Sequence, residues 1–262
     1  MVRLQKPAKV PGMQEDMAIK VAAFLVCLGF ALPTASRAAA LSLSAAIATP
    51  AGYTRVRTDE GSYGRFLRTL PIKSEKRILA FNGNLITDFN VFAVVDLPLL
   101  FHQDLEQCAD FAMRLWAEYH KRAHTLDHLY LFDYNGKRKA FASSGKSYLD
   151  FLKTSFANAN SYSLKRGCAA VPSAAGLVPG DMLVQNQDGG IGHVSVILDI
   201  AEAEGKPRLY LIGFSFMPAQ EFHIEKAQSD KGKEGWFTLD GYQRFLTEIL
   251  PFGPPVLRRF AP

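Results

Sequence analysis

A cysteine and a histidine, Cys108 and His193, are the residues of this chain best suited by type and setting to do chemistry. Cys108 stands in Asp104-Leu105-Glu106-Gln107-Cys108-Ala109-Asp110-Phe111, ahead of an apolar stripe of Phe111, Ala112, Leu115, Trp116 and Tyr119 at helical spacing. Asp104 followed by Gln107 is a capping-box pattern, so the helix begins either there or at Gln107. On the second reading Cys108 lies in the first turn, where unpaired N–H groups and the helix dipole favour a thiolate. His193 follows Gly192 and opens an apolar run read as a central strand covered on both faces. A thiol needs a neighbouring base to attack a carbonyl, and His193 would be that base and the acid for the leaving group.

A third polar group usually holds such a histidine in one tautomer. If the strands flanking Glu204 form a hairpin, position 193 faces about position 215, which nominates Ser215. Gln220 is the chemically better orienter but lies past Pro218. The Gln107 amide is read as an oxyanion donor or a helix cap. Asp110 suits the positive end of the helix, and Arg114 suits either a substrate carboxylate or an ion pair with Glu118. The competing readings of Cys108 are a disulfide with Cys168 and a buried apolar thiol. His120, His124 and His128 recur every fourth residue but are read as a solvated helix end. No metal and no cofactor is expected, for there is no glycine-rich phosphate loop and no dense cluster of ligands.

The elements that must position these residues follow a clear order. Ser62 caps a short helix that Pro71 stops; Arg77–Phe81 and Phe89–Val95 read as strands joined through Asn82-Gly83-Asn84. His128–Asp133 and Lys139–Ala142 read as a hairpin, and Ser147–Asn158 as a helix ahead of a polar stretch. From Asp181 to Ile224 the pattern is β. Helices first and an antiparallel sheet after them define an α+β domain.

Residues 21–35 form an apolar run with Lys20 before it and Ser36-Arg37-Ala38-Ala39-Ala40 after it, the order of a secretory signal. Residues 1–40 are therefore read as a signal peptide, with Met17 a second candidate start, and residues 41–262 as a single domain. The expected address is periplasmic or secreted, with no stable membrane anchor after cleavage. The whole chain carries +5, and the leader holds five basic residues against two acidic ones, which leaves about +2. That balance argues against a nucleic-acid partner.

The residues Gln107-Cys108-Ala109-Asp110, Pro179-Gly180-Asp181 and Gly192-His193-Val194-Ser195 resemble the papain-like cell-wall hydrolases of the NlpC and CHAP types. The resemblance implies N-terminal helices packed on an antiparallel sheet, and cleavage of an amide bond in a cell-wall peptide or glycopeptide. The alternative it leaves open is a non-catalytic envelope-binding module on the same fold. A second resemblance covers nearly the whole mature chain. Phe66-Leu67-Arg68-Thr69-Leu70-Pro71, Gln107-Cys108-Ala109-Asp110, Ala117-Glu118-Tyr119 and Met217-Pro218-Ala219-Gln220-Glu221 are similar to an uncharacterised family of exported bacterial proteins, in which a Gln commonly stands where this chain has Phe214.

Overall fold

The His193–Glu202 strand is the axis of the molecule, and a computed structural model describes residues 40–187 and 189–261 around it. It pairs antiparallel with Met182–Gln185 on one side and Leu209–Phe214 on the other. Val256–Arg259 and then Ala169–Ala170 extend the first side. Trp236–Phe237 and Gly232–Lys233 extend the second. His223–Glu225 pairs with the end of Leu209–Phe214 and carries Val91–Val94 beyond it. With Thr54–Arg55, which pairs with the far end of the axial strand, ten strands make this antiparallel sheet, and with the helices they form a mixed α+β fold.

Both faces of the axial strand are covered, so it carries apolar residues at successive positions. Val194, Val196 and Leu198 share one core with Phe111 and Leu115 of the Cys108–Arg122 helix. Ile197 and Ile200 share another with Tyr242, Phe245 and Leu246 of the Leu239–Ile249 helix. Side-chain oxygens at Ser62, Ser147 and Thr238 accept backbone N–H groups and start three of the helices.

Two strand pairings depart from the sequence expectation. The Asn82-Gly83-Asn84 turn closes a small hairpin of Ile78–Leu79 with Leu85–Ile86, while Val91–Val94 crosses to His223–Glu225. The polar stretch after Asn158 contains a further helix, Ser161–Gly167, whose start Asn160 caps by accepting from Tyr162 and Ser163. The hairpin of Tyr130–Phe132 with Arg138–Ala140 forms as expected. The leader over residues 1–40 lies outside the described residues save its last position. Among the described residues no helix is long and apolar enough to cross a membrane.

Candidate functional site

The helix begins at Cys108, with Gln107 as its N-cap, so the thiol occupies the first helical position. The Gln107 N–H donates to Asp110 Oδ2 at 3.1 Å, and the Gln107 side-chain amide donates to Asp104 Oδ1 at 2.9 Å. Asp104 Oδ1 also accepts the Ala219 N–H at 2.6 Å. These contacts make Gln107 a cap and brace, and they tie the helix start to the connection between the Leu209–Phe214 and His223–Glu225 strands.

Cys108 Sγ lies 4.0 Å from Gly192 O and receives the Val194 N–H. Burial pushes the thiol up to about 12, and the Val194 amide only partly offsets it. Cys168 is also free and buried, so the anticipated alternative of a disulfide between the two does not form.

His193 sits one residue from the backbone that touches the thiol, yet its ring is on the other side of the sheet. Successive side chains on a strand point to opposite faces. Val194 faces Cys108, and His193 faces Phe214 and Phe216, with ring centroids 4.9 and 5.6 Å away. Neither ring nitrogen has a hydrogen-bond partner among the described residues. Burial, with the nearby His223 adding to it, lowers the imidazole to about 3. The structure therefore brings Cys108 and the His193 backbone together, but not the thiol and the imidazole.

The expected orienters also fall elsewhere. The hairpin turns about Gly205, with Leu209 opposite Ala201, and a slip between Leu211 and Ile212 takes back one residue, so the line from Ile212 and Ile197 continues to place Phe216, not Ser215, opposite His193. A slip of one residue turns a side chain to the other face. Ser215 Oγ donates instead to Gln220 O at 2.6 Å, with Glu106 O at 3.2 Å. Gln220 bridges to Ala80 through its backbone, and its side-chain Nε2 has no partner. Arg114 does not reach Glu118 or the cleft: it pairs with Glu106 at 2.8 Å, both buried, and its guanidinium lies over the Phe111 ring. Glu106 lies ahead of the helix, so the i+3 and i+4 spacings at which helical ion pairs are read do not point from it to Arg114. Burial pushes its carboxyl up, against the pull of Arg114 and the Leu100 and Phe101 amides.

Beside Cys108 opens a cleft of about 460 Å³. Asp104, Gln107, Cys108 and Asp110 form one wall, and Asn160, Ser161 and the Gly189–Gly192 loop form another. Asp110 is 6% exposed, its Oδ1 has no partner, and burial, with Glu106 nearby, raises its carboxyl well above the ordinary range. Two acidic residues and no Lys, Arg or His line the cleft among the described residues. None of the described residues forms a group of three metal-ligating side chains, and the His120, His124, His128 series is split by a chain reversal at His124, where φ is 57°.

Gly192 is required where the loop meets the strand. A Cβ there would lie 2.2 Å from Gln185 O and 2.5 Å from Ser161 Oγ. Gly192→Ala is expected to lower stability by about 1–3 kcal/mol, the usual cost of overpacking, and to widen the cleft. Urea unfolding measures the first effect, and an unchanged midpoint would contradict the packing described.

An α+β domain with an acidic, thiol-bearing cleft at a helix start is the class that fold and site define. The chain belongs to the family described as a domain of unknown function (4846), whose model matches residues 43–143 and 132–259. Neither a curated protein nor a solved structure matches the chain.

Proposed function

We propose that the protein is an exported binding module of the cell envelope, built on a papain-like plan and holding an ammonium-bearing peptide in the cleft beside Cys108. The observation that carries this reading is the opposite facing of Cys108 and His193 across the sheet. A thiol whose S–H meets a carbonyl oxygen and whose imidazole is out of reach has no base to make it a nucleophile. The export part rests on the basic, apolar and small-residue order of the leader.

The cleft's chemistry supports the ligand class. Its acidic groups are Asp104, exposed, and Asp110, which burial favours in its neutral form and which has a spare oxygen. An ammonium arriving there supplies the positive charge that the wall lacks.

The test combines thiol labelling with binding. Iodoacetamide is expected to modify Cys108 slowly at every pH from 6 to 9 and at the same rate in His193→Ala. A thiol near 12 has about one three-thousandth of the thiolate of an ordinary thiol near 8.5 at neutral pH. A short lysine-containing peptide is expected to bind by calorimetry and to weaken about tenfold in Asp104→Asn. Rapid labelling at pH 6 that disappears in His193→Ala would overturn the module and restore a thiol hydrolase, with Cys108 attacking and His193 moving the proton.

A further inference from the structure

The far end of the Cys108–Arg122 helix carries a second concavity, separate from the cleft. Trp116, Tyr119 and His120 lie on that helix's later turns, and with Thr125, Tyr130 and Arg138 they line a groove of about 490 Å³. Its lining combines aromatic rings with polar groups that have nothing to bind.

His120 Nδ1 lies 3.1 Å from Thr125 O. The same nitrogen lies 2.9 Å from Thr125 Oγ1; the carbonyl only accepts and the hydroxyl can accept as well, so a proton on Nδ1 suits both oxygens and leaves Nε2 a bare acceptor. No donor reaches Nε2 among the described residues, and His120 is 7% exposed. Trp116 is the complementary case: its indole N–H has no acceptor, the residue is 5% exposed, and its ring packs edge-on to His120 with centroids 4.4 Å apart. One face of the indole is already taken by Phe260, stacked at 5.1 Å, so the pair's free chemistry is at its polar edges. Native structures seldom leave an adjacent buried donor and acceptor both unfilled.

The groove also holds a cation without a counter-charge. The Arg138 guanidinium lies 4.1 Å over the Tyr130 ring, and no carboxylate pairs with it among the described residues. The Tyr130 hydroxyl is spent on Ala261 O, so the ring presents a face and the arginine its donors.

We propose that this groove is a binding site for an acidic saccharide, a hydroxylated ring that carries a carboxylate. A hydroxyl both donates and accepts, so one can fill His120 Nε2 and another the Trp116 N–H. The carboxylate answers Arg138, and the aromatic side chains supply apolar surface for the C–H face of the ring. A neutral sugar satisfies the first two contacts and not the third, which gives the site its expected preference. The assignment is independent of the peptide reading of the cleft, because the two concavities share no lining residue.

Titration of the mature protein with N-acetylmuramic acid and with N-acetylglucosamine, followed by calorimetry and tryptophan fluorescence, tests it. The acid is expected to bind saturably and about tenfold more tightly than the neutral sugar. Arg138→Gln, a surface change, is expected to erase that preference while leaving the neutral sugar's affinity in place. His120→Phe is expected to weaken both sugars, and the fluorescence change is expected to vanish in Trp116→Phe and persist in Trp236→Phe. No saturable binding to the wild-type protein would overturn the site. So would an Arg138→Gln variant that keeps the preference, and that variant decides the matter even if the buried substitutions do not fold. The lysine peptide is expected to bind Arg138→Gln as it binds wild type, which separates failure of this site from failure of the cleft.

Discussion

Asp199→Leu is expected to destabilise the protein by about 3–5 kcal/mol, the cost of stripping a buried ion pair of one partner. Asp199 is fully buried on the axial strand. Its carboxylate accepts from Arg55 Nε at 2.6 Å, from Arg68 Nε at 2.8 Å and from the Ile200 N–H at 2.9 Å. Arg68 is itself 6% exposed, and it also binds Val56 O and Thr58 Oγ1, so it cannot swing out to water without releasing the segment before the Tyr63–Leu67 helix. The same carboxylate thus fastens that helix and the Thr54–Arg55 strand to the centre of the sheet. Set against the 5–15 kcal/mol that holds an ordinary domain together, the loss is a large share. Asp199→Asn keeps the shape and two of the contacts and is expected to cost less. Substituting Glu75, in an exposed pair with Arg77, is expected to leave the urea midpoint where it was. An Asp199→Leu protein as stable as wild type would show that the two arginines are held by something other than this charge.

How far the sequence carried the reading can be judged from single residues. The helix at Cys108 was legible because Phe111, Leu115 and Trp116 repeat at its period, and its cap at Gln107 was one of two readings on offer. The axial strand was legible because nine successive buried positions, His193 to Ala201, are what double coverage demands. What the pattern could not give was which way His193 points. That depends on the parity of one strand against one helix, and on a hairpin that turns about Gly205 in place of Glu204; the irregularity beside Leu198 takes back one residue, so that Phe216 stands where Ser215 is expected. The ion pair of Glu106 with Arg114 was equally illegible, because it closes across the helix start and not along a helix face. The two walls of the cleft come from chain segments some 50 to 80 positions apart, and only the folded sheet joins them.

The second large effect is an acid transition set by the histidines that the proposed function does not use. His193 and His223 flank Phe214, with ring centroids 4.9 and 4.4 Å from it; neither His193 nitrogen has a hydrogen-bond partner among the described residues, and His223 is met only by the Glu221 backbone. Glu225 is the nearest acid, but its Oε2 stands 3.7 Å from His223 Nε2, beyond hydrogen-bond reach. Burial lowers both imidazoles to about 3 and raises Glu225 to about 7. In the unfolded chain a histidine takes its proton near 6.5, so between that pH and about 3 the unfolded state binds more protons and stability falls with pH. Glu225 acts in the opposite sense: from about 7 down to its unfolded value near 4.5 the folded state takes up the proton first, and stability rises as pH falls. The two effects oppose each other above about 4.5, and below it only the histidine loss continues, worth about 4 kcal/mol for the two rings by pH 3. Acid unfolding followed by near-ultraviolet circular dichroism is therefore expected to be steep below about pH 4.5. The double variant H193L/H223L is expected to shift its midpoint downward, whereas Glu225→Gln, which mimics the protonated carboxyl, is expected to leave that midpoint near wild type and to raise stability at neutral pH. Equal midpoints in wild type and double variant would mean that the rings are not held neutral by burial, and that the His193 face opens to water before the sheet gives way.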